Sequence, residues 1–219
     1  MSVNDEMAAY TTPQEAFWAG TFGDAYSERN RGPAMLAANL ALWAQVLRSA
    51  GPITSVIEFG ANVGMNLEAL RLLYPGQEQH AVEINASAAT TLAERLPEAT
   101  VTVGSLLDVE PSQTFDLAFV KGVLIHLSPD HLEAAYRALY AASHRYLVLA
   151  EYYNPTPVQV PYRGHEDRLF KRDFCGELLD HFPDLDLQDY GFVYHRDARW
   201  PQDDLTWFLL EKSERGVER

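Results

Sequence analysis

The sequence has one cysteine, Cys175, among its 219 residues. A single thiol cannot form a disulfide within the chain, so we expect a fold held by its packed core in a reducing, cytoplasmic setting. Positive charge is also scarce, with 17 Lys and Arg against 31 Asp and Glu and a formal net charge of -14. Because a nucleic-acid backbone is bound through clustered cations, this balance argues against nucleic acid as a partner and favours small molecules or proteins.

Long apolar runs are missing as well. No run approaches the roughly 20 residues that cross a membrane. The first ten residues, MSVNDEMAAY, are polar and acidic rather than basic and then apolar, so we expect neither a signal peptide nor a membrane partner. The apolar fraction of 47% is ordinary for a globular protein. The length predicts a single domain over residues 1–219.

The pattern of the chain changes near residue 50. Over residues 1–50 we expect cap helices, because Thr12, Pro13 and Glu15 form a capping-box signature and apolar residues recur at helical spacing over 34–48. Over 51–219, short β-branched runs alternate with helical stretches, which predicts a mostly parallel sheet with helices on both faces. The last two strands have no helix between them, so they are predicted to pair antiparallel at one edge.

The stretch EFGANVG, residues 58–64, lies at the first strand-to-helix turn. Gly60 and Gly64 give the backbone freedom for a tight turn, and Asn62 is the residue type that best replaces glycine in a left-handed conformation. A dinucleotide loop would read G-x-G-x-x-G, and the carboxylate of Glu58 would repel a pyrophosphate. The acid suits S-adenosylmethionine (SAM), which carries an ammonium and a sulfonium and no phosphate. Glu83, 23 residues after Gly60, has the spacing of a carboxylate that binds a ribose diol.

Residues 55–149 resemble a Rossmann-like (class I) SAM-dependent methyltransferase. The resemblance is carried by VIEFGANVG, AVEIN, VGSLLDV and FDLAFVKGVLIHL. It implies that fold, a seven-stranded sheet and SAM as cofactor. The cofactor-binding residues that it implies are Glu58, Gly60, Ala61, Asn62, Gly64, Glu83, Ile84, Ser105, Leu106, Lys121, Gly122 and Val123. Many members have an acid at the position of Ser105.

The whole chain is also similar to the pseudaminic acid biosynthesis-associated methylases. The shared stretches are FWAGTFGDAYSERN, KGVLIHLSPDHL, EYYNPTP and YRGHEDRLFKRDF. This narrower resemblance implies the fold and the cofactor and leaves the methyl acceptor open.

Methyl transfer from SAM requires positioning and desolvation, and aromatic faces stabilise a sulfonium. The aromatic candidates are Tyr10 for the substrate, Phe17, Trp18 and Tyr26 for the cofactor, Tyr152 and Tyr153 at the reacting centre, and Tyr162 for the substrate. Each aromatic side chain is also explained as core, and Tyr152 and Tyr153 are the better candidates because they end a strand beside the expected site. Asn154 either contacts the reacting group or starts an Asn-Pro turn. His126 is either a general base or a buried core histidine.

A basic cluster stands out in this acidic chain. Its members are Tyr162, Arg163, His165, Arg168, Lys171 and Arg172. It predicts a site for an anionic group, or else a helix face paired with Glu166 and Asp167. Arg29 is a further candidate for the carboxylate of SAM. Adjacent residues such as His165, Glu166 and Asp167 rarely supply three metal ligands, so we expect no metal.

Two functions follow from these patterns. The first is methyl transfer from SAM to a small polar acceptor in a biosynthetic pathway. The second is cyclisation of SAM itself to azetidine-2-carboxylate and methylthioadenosine, with Tyr152, Tyr153 and Asn154 as a cage that excludes water. A non-catalytic SAM-binding protein is a third interpretation.

Overall fold

The computed structural model describes residues 10–29, 32–165 and 167–213, without the side chains of residues 28 and 29. Three helices come first: α1 (Pro13–Ala19), α2 (Thr21–Arg29) and α3 (Pro33–Val46). The predicted capping box of α1 is confirmed. The backbone N–H of Glu15 donates to Thr12 Oγ1 at 3.1 Å, and the N–H of Thr12 donates to Glu15 Oε2 at 2.7 Å. These bonds satisfy two donors that the helix would otherwise leave unpaired.

The strands that follow make up two sheets. In chain order they are β1 (Ser55–Phe59), β2 (Glu78–Glu83), β3 (Thr100–Val103), β4 (Phe115–Lys121), β5 (Ser143–Glu151), β6 (Val158–Gln159), β7 (Phe170–Lys171), β8 (Leu185–Phe192) and β9 (Thr206–Lys212). The main sheet has seven strands in the order β3-β2-β1-β4-β5-β9-β8. Strands β1 to β5 pair in parallel, while β9 pairs antiparallel with both β5 and β8. The predicted mostly parallel sheet with an antiparallel edge hairpin is confirmed.

Helices cover the main sheet on both faces: α4 (Met65–Leu73), α5 (Ala86–Arg95), α6 (Leu132–Ala142) and α7 (Phe174–His181). Two 3-10 turns, Leu124–His126 and Pro129–His131, separate β4 from α6. In the region after β5, β6 and β7 form a separate two-stranded antiparallel sheet. No helix within the described residues is long and apolar enough to cross a membrane.

The core consists of two layers, because successive side chains of a strand point to opposite faces. Ile57 and Phe59 of β1 belong to the layer under α6 and α7. Val56 belongs to the other layer, together with Trp43 of α3 and Phe119 of β4. Trp43 is fully buried and meets Phe119 edge to face, with ring centroids 4.5 Å apart. This contact fixes α3, and with it one side of the site described below, against the sheet.

The connection between β8 and β9 is longer and better anchored than a simple polar turn. Residues 193–205 cross toward α3, where Gln202 Nε2 donates to the carbonyl of Ala38 at 2.8 Å. The sequence pattern predicts a turn here, and the structure shows a segment that reaches the carboxyl edge of the sheet.

Candidate active site

A cavity of about 840 Å³ opens at the carboxyl ends of β3, β2, β1 and β4. Residues that follow or end these strands line one side, and α1, α2, α3 and the β8–β9 connection line the rest. The strand order reverses between β1 and β4, and ligands of open parallel sheets bind at such a point. The volume lies within the range of about 300–1,000 Å³ typical of small-molecule sites.

The glycine turn forms the part of the lining after β1. Gly60 has a φ of 76° and Asn62 a φ of 49°, so the asparagine occupies the left-handed region. A Cβ on Gly60 would lie 2.4 Å from Cγ2 of Val123, which follows β4. Gly64, with a φ of 79°, is the N-cap of α4 and lies outside the lining. Gly60, Ala61 and Asn62 line the cavity, as do Gly122 and Val123.

Glu83, at the end of β2, is hydrogen-bonded to the glycine turn. Its Oε2 accepts the backbone N–H of Asn62 at 2.7 Å, and its Oε1 accepts the N–H of Asn85 at 2.7 Å. Burial raises the pKa of the Glu83 carboxyl above its ordinary value, and these backbone donors oppose the rise. Each carboxylate oxygen keeps a further acceptor position, so Glu83 can also accept ligand hydroxyls. Ile84 lines the cavity beside it.

The end of β3 is tied to the N-terminal cap. Ser105 Oγ donates to Glu15 Oε1 on α1, while it accepts the backbone N–H of Leu107 at 3.0 Å. Ser105, Leu106 and Glu15 all line the cavity. Glu15 therefore places a buried carboxylate next to Ser105, the position where an acid is common in the family that the sequence resembles.

Glu58 lies beneath the lining and not in it. Its Oε1 accepts from Asn66 Nδ2 at 2.7 Å, and its Oε2 has no partner among the described residues. Burial raises the pKa of Glu58 to about 8, while the Asn66 amide and the Lys121 ammonium oppose the rise. The sequence argument against a pyrophosphate relied on a charged Glu58, and burial weakens that argument. Asn66, which does line the cavity, stands between Glu58 and any ligand.

Lys121, the last residue of β4, is the cationic side chain that the parallel strands bring to the cavity. Its Nζ donates to Asn39 Oδ1 of α3 at 3.1 Å. Burial lowers the pKa of Lys121 to about 8, while the carboxyl groups of Glu58 and Asp203 favour its charged form. Asp203 belongs to the β8–β9 connection and also lines the cavity.

His126 lines the cavity in a neutral form. Its Nδ1 lies 2.6 Å from the carbonyl oxygen of Arg168, which fixes Nδ1 as the protonated nitrogen and leaves Nε2 as an acceptor. Burial lowers the pKa of His126 to about 4. No described residue hydrogen-bonds to Nε2. The ring lies 4.5 Å from Trp18 and 5.0 Å from Tyr162, measured between centroids.

The aromatic candidates divide into two groups. Trp18 and Tyr26 line the cavity, with their ring centroids 5.2 Å apart. Phe17 lies behind them, stacked on Phe22 at 4.1 Å. Tyr162 and His165 also lie outside the lining and pack on this aromatic group, His165 at 5.0 Å from Phe17. Tyr10 is partly buried and likewise outside the lining.

Tyr152, Tyr153 and Asn154 do not line the cavity. The hydroxyl of Tyr152 donates to Asp203 Oδ2 at 2.9 Å, so this side chain reaches the site through Asp203. Tyr153 is 43% exposed. Asn154 Nδ2 donates to the carbonyl of Thr156 at 2.5 Å, so its side chain is bonded within its own loop and not to the cavity.

The basic cluster does not assemble at the cavity. Its side chains contact rings or acids instead: Arg163 lies over Tyr162, Arg168 over Phe17 and Lys171 over Tyr152, and Arg172 pairs with Glu177 at 2.6 Å. Glu166 and the side chain of Arg29 lie outside the described part of the chain. Within that part, no three His, Cys, Asp or Glu side chains are grouped to hold a metal ion.

Sequence reasoning missed several lining residues. The most informative are Gln14, Glu15, Asn39, Asn66 and Asp203. Gln14 has a buried Oε1 without a partner among the described residues. The sequence pattern explained Glu15 as a helix-capping residue, and it predicted a turn in the stretch that contains Asp203. Only their common position at one cavity distinguishes them.

No family model matches the chain, and no curated protein matches it in sequence. Several solved structures share its fold. Magnesium protoporphyrin IX methyltransferase from Synechocystis PCC 6803, with bound SAM, is 14% identical, with a TM-score of 0.67 over 97% of this chain and 99% of that one. The 1,6-didemethyltoxoflavin-N1-methyltransferase of Burkholderia thailandensis is 16% identical, with a TM-score of 0.70 over 98% and 92%.

An amino pentose methyltransferase from Micromonospora echinaspora, CalS10, is 14% identical, with a TM-score of 0.63 over 89% of this chain and 97% of that one. At these identities the comparisons establish the architecture. The chain has the Rossmann-like fold of the class I SAM-dependent methyltransferases.

Proposed function

We propose that this protein is a SAM-dependent enzyme that transfers a methyl group to a small polar acceptor. One observation carries the proposal: polar groups that line the cavity form a continuous row across the carboxyl ends of four neighbouring strands. Ser105 follows β3, Glu83 ends β2, Asn62 follows β1 and Lys121 ends β4. Structures of the same fold hold SAM or S-adenosylhomocysteine (SAH) and include enzymes of small-molecule methylation.

The residues present fit SAM. The turn at Gly60 contributes only backbone to the cavity lining, because Val123 fills the space where a Cβ would lie. Ser105 and Glu15 would hold the adenine, Glu83 the ribose hydroxyls, and the turn at Gly60 the thioether. Asn62 Oδ1 is buried without a partner among the described residues, which leaves an acceptor for a ligand donor.

When bound, SAM supplies a methyl carbon that is activated by its sulfonium. The chain's part is to orient an acceptor, exclude water and accept a proton. His126 Nε2 suits the last task, because the Arg168 carbonyl fixes the tautomer and the neutral ring, which lines the cavity, keeps Nε2 as an acceptor. Trp18 and Tyr26 present aromatic faces that would stabilise positive charge.

Room for a second molecule supports transfer over cyclisation. The cavity is large and extends from the β3 end to the β8–β9 connection. The cage expected for cyclisation is not assembled there, because Tyr153 and Asn154 lie outside the lining. The resemblance to pseudaminic acid biosynthesis-associated methylases stays a prediction and names no acceptor.

The test is to titrate the purified protein with SAH and with NAD by calorimetry, and then to incubate it with SAM, first alone and then with panels of small hydroxyl- and amine-bearing acceptors. We expect binding of SAH, no binding of NAD, and formation of SAH only with an acceptor. Methylthioadenosine formed from SAM alone would establish cyclisation instead. Binding of NAD in place of SAH would refute both.

A further inference from the structure

Gln14, Trp18 and His126 bring unpaired polar atoms to one side of the cavity. Gln14 and Trp18 lie one turn apart on α1, and His126 ends the 3-10 turn after β4. Oε1 of Gln14 and Nε1 of Trp18 are buried, and neither has a hydrogen-bond partner among the described residues. Nε2 of His126 also lacks one within that part of the chain. Gln14 and His126 are only 7% and 9% exposed. Since buried polar groups are almost always paired, this grouping indicates a ligand-binding site.

Two consecutive backbone carbonyls orient Gln14 and His126. Gln14 Nε2 donates to the carbonyl of Asp167 at 3.0 Å, and His126 Nδ1 donates to the carbonyl of Arg168 at 2.6 Å. A carbonyl can only accept, so these bonds fix the amide of Gln14 and the tautomer of His126. Each side chain therefore keeps an acceptor at its other end. Asp167 has a φ of 57°, a left-handed conformation that is costly outside glycine and is found at functional sites.

The surroundings of these atoms are uncharged and aromatic. The His126 ring lies 4.5 Å from that of Trp18, measured between centroids, and burial lowers the pKa of His126 to about 4, which keeps the ring neutral. Tyr26 lies 5.2 Å from Trp18 and also lines the cavity. The acid of α1, Glu15, already accepts two hydrogen bonds from elsewhere. A planar ring suits this side of the cavity, because it can pack on the aromatic faces.

We propose that Gln14 and His126 bind the methyl acceptor and select an aromatic primary amine. This proposal rests on the proposed function, because it takes SAM as the methyl donor. A primary amine has two hydrogens and one lone pair. Gln14 Oε1 and His126 Nε2 accept the two hydrogens, and the lone pair stays free to attack the methyl carbon. A hydroxyl has a single hydrogen, so it leaves one of the two acceptors unpaired.

The transfer balances with these groups alone. The amine nitrogen forms a C–N bond with its lone pair while the S–C bond breaks, and the electron pair of that bond stays on sulfur, which gives SAH. The nitrogen, now positively charged, passes one proton to His126 Nε2, and the ring returns it to solvent when the secondary amine leaves. A ring of low pKa accepts a proton only from a strong acid. The N-methylated ion of an aromatic amine is such an acid. An alkylamine is protonated at neutral pH and has no lone pair, and His126 is too weak a base to deprotonate it.

Trp18 adds a further requirement. Its Nε1 is a donor without a partner among the described residues. It can bind an acceptor atom elsewhere on the ring of the ligand, such as a heteroaromatic nitrogen. The substrate class is therefore a planar aromatic amine that also carries a hydrogen-bond acceptor.

The experiment first measures SAH binding by calorimetry and then titrates the SAH-loaded protein with matched planar ligands, followed by NMR. The ligands are quinolin-6-amine, quinolin-6-ol and quinoline, which differ only in the group that meets Gln14 and His126. We expect the amine to shift the indole N–H resonance of Trp18 and to bind at least about 10-fold more tightly than the other two. With SAM in place of SAH, we expect methylation of the amine in preference to the alcohol.

Gln14→Leu and His126→Phe each remove one acceptor. Each should weaken the amine by about 10-fold and the other two ligands by less than about 3-fold. Gln202→Leu is the matched control, because Gln202 also lines the cavity and donates its Nε2 to a backbone carbonyl. It should keep the preference for the amine. SAH binding shows that a variant is folded, and the ranking of ligands by the native protein tests the proposal even where both variants fail to fold.

Four results would overturn the amine subsite. They are no binding of the amine, equal affinity for amine and alcohol, a preference for the amine that survives both substitutions, and methylation of the alcohol in place of the amine or of neither. In each case the proposed function stands, provided that the native protein binds SAH. A native protein that does not bind SAH would refute the proposed function itself.

Discussion

At the scale of single residues, Gly60 shows how a backbone conformation shapes the cavity lining. Its φ is 76°, and a Cβ at this position would lie 2.4 Å from a methyl group of Val123, so both backbone and space exclude larger side chains. Gly76 has a similar φ of 84° but nothing within 4 Å of its Cβ position. An alanine substitution at Gly76 therefore measures backbone strain alone, whereas one at Gly60 measures backbone strain together with a steric clash.

We predict that Gly76→Ala costs about 1–2 kcal/mol of stability from the left-handed backbone alone. Gly60→Ala should cost a further 1–3 kcal/mol, approximately, because the new methyl meets Val123. It should also weaken SAH, whereas Gly76→Ala should not. Urea unfolding and calorimetry of both variants measure these effects. Equal destabilisation by the two substitutions would mean that the Val123 contact relaxes without cost.

His126 gives a residue-scale prediction about pH. Its folded pKa of about 4 lies below its ordinary value of 6.5, so between these values the unfolded chain binds a proton that the folded chain does not. Stability therefore falls as the pH drops through this window, by about 3 kcal/mol in total. The full contribution of the neutral ring to stability is present above pH 6.5.

The measurement is the free energy of unfolding of the native protein minus that of His126→Gln, from pH 4 to pH 7. We expect this difference to grow with pH. Two buried acids also make the stability depend on pH, because burial raises the pKa of Glu151 to about 7 and that of Glu58 to about 8. Each acid makes the free energy of unfolding fall as the pH rises, which is opposite in sign to the effect of His126. Subtracting the values for His126→Gln removes their contribution. A flat difference would show that protonation of His126 is tolerated in the fold.

At the scale of elements, the Glu15 carboxylate is one of the groups that join α1 to the core, beside Asn85 Nδ2, which donates to the carbonyl of Ala19 at 3.3 Å. Glu15 accepts the Thr12 N–H and the Ser105 hydroxyl, so it both caps its own helix and fastens that helix to the end of β3. Trp18 and Gln14, on the same helix, line the cavity. The positions of these two lining residues thus depend in part on Glu15.

We predict that Ser105→Ala and Thr12→Ala separate these two roles. Thr12→Ala removes the cap and should cost about 1 kcal/mol of helix stability. Ser105→Ala keeps the cap but removes the hydrogen bond between α1 and the end of β3. Hydrogen exchange in α1 should therefore rise, while exchange in β1 stays as in the native protein. Unchanged protection of α1 in Ser105→Ala would show that packing and the remaining hydrogen bonds, such as those from Asn85, hold the helix without Ser105.

At the scale of the whole molecule, one helix, α3, contributes both to the hydrophobic core and to the cavity lining. Its buried side presents Trp43 to Phe119, and its cavity side presents Asn39 to Lys121. We predict that Trp43→Ala costs about 3–5 kcal/mol, a large part of the roughly 5–15 kcal/mol of a typical domain.

Trp200→Ala is the matched control, because Trp200 is 48% exposed at the cavity. It should change stability by less than about 1 kcal/mol. Urea denaturation measures both variants. A cost for Trp43→Ala no larger than that for Trp200→Ala would mean that α3 is not anchored by this contact.

By itself, the sequence determined the strands of the main sheet, their order and most of the helices; it did not predict α2, whose residues it indicated as a loop, or the β6–β7 pair. The capping box at Thr12 and Glu15, the turn at Gly60 and Asn62, and the alternation of strands with helices are short-range patterns, since backbone conformation depends on neighbouring residues. They were enough to predict the parallel sheet with its antiparallel edge and the place of the glycine turn.

Only the tertiary structure decided which side chains share the cavity. The contacts that build it join Glu15 to Ser105, Asn39 to Lys121 and Tyr152 to Asp203, across 90, 82 and 51 residues of chain. The basic cluster within residues 162–172 is conspicuous in the sequence, but its side chains contact aromatic rings and acids. Asp203, an inconspicuous acid in a predicted turn, lines the cavity. The physical reason is that these contacts form only when the packed layers bring distant segments of the chain together. A local sequence pattern does not specify which distant segments will meet.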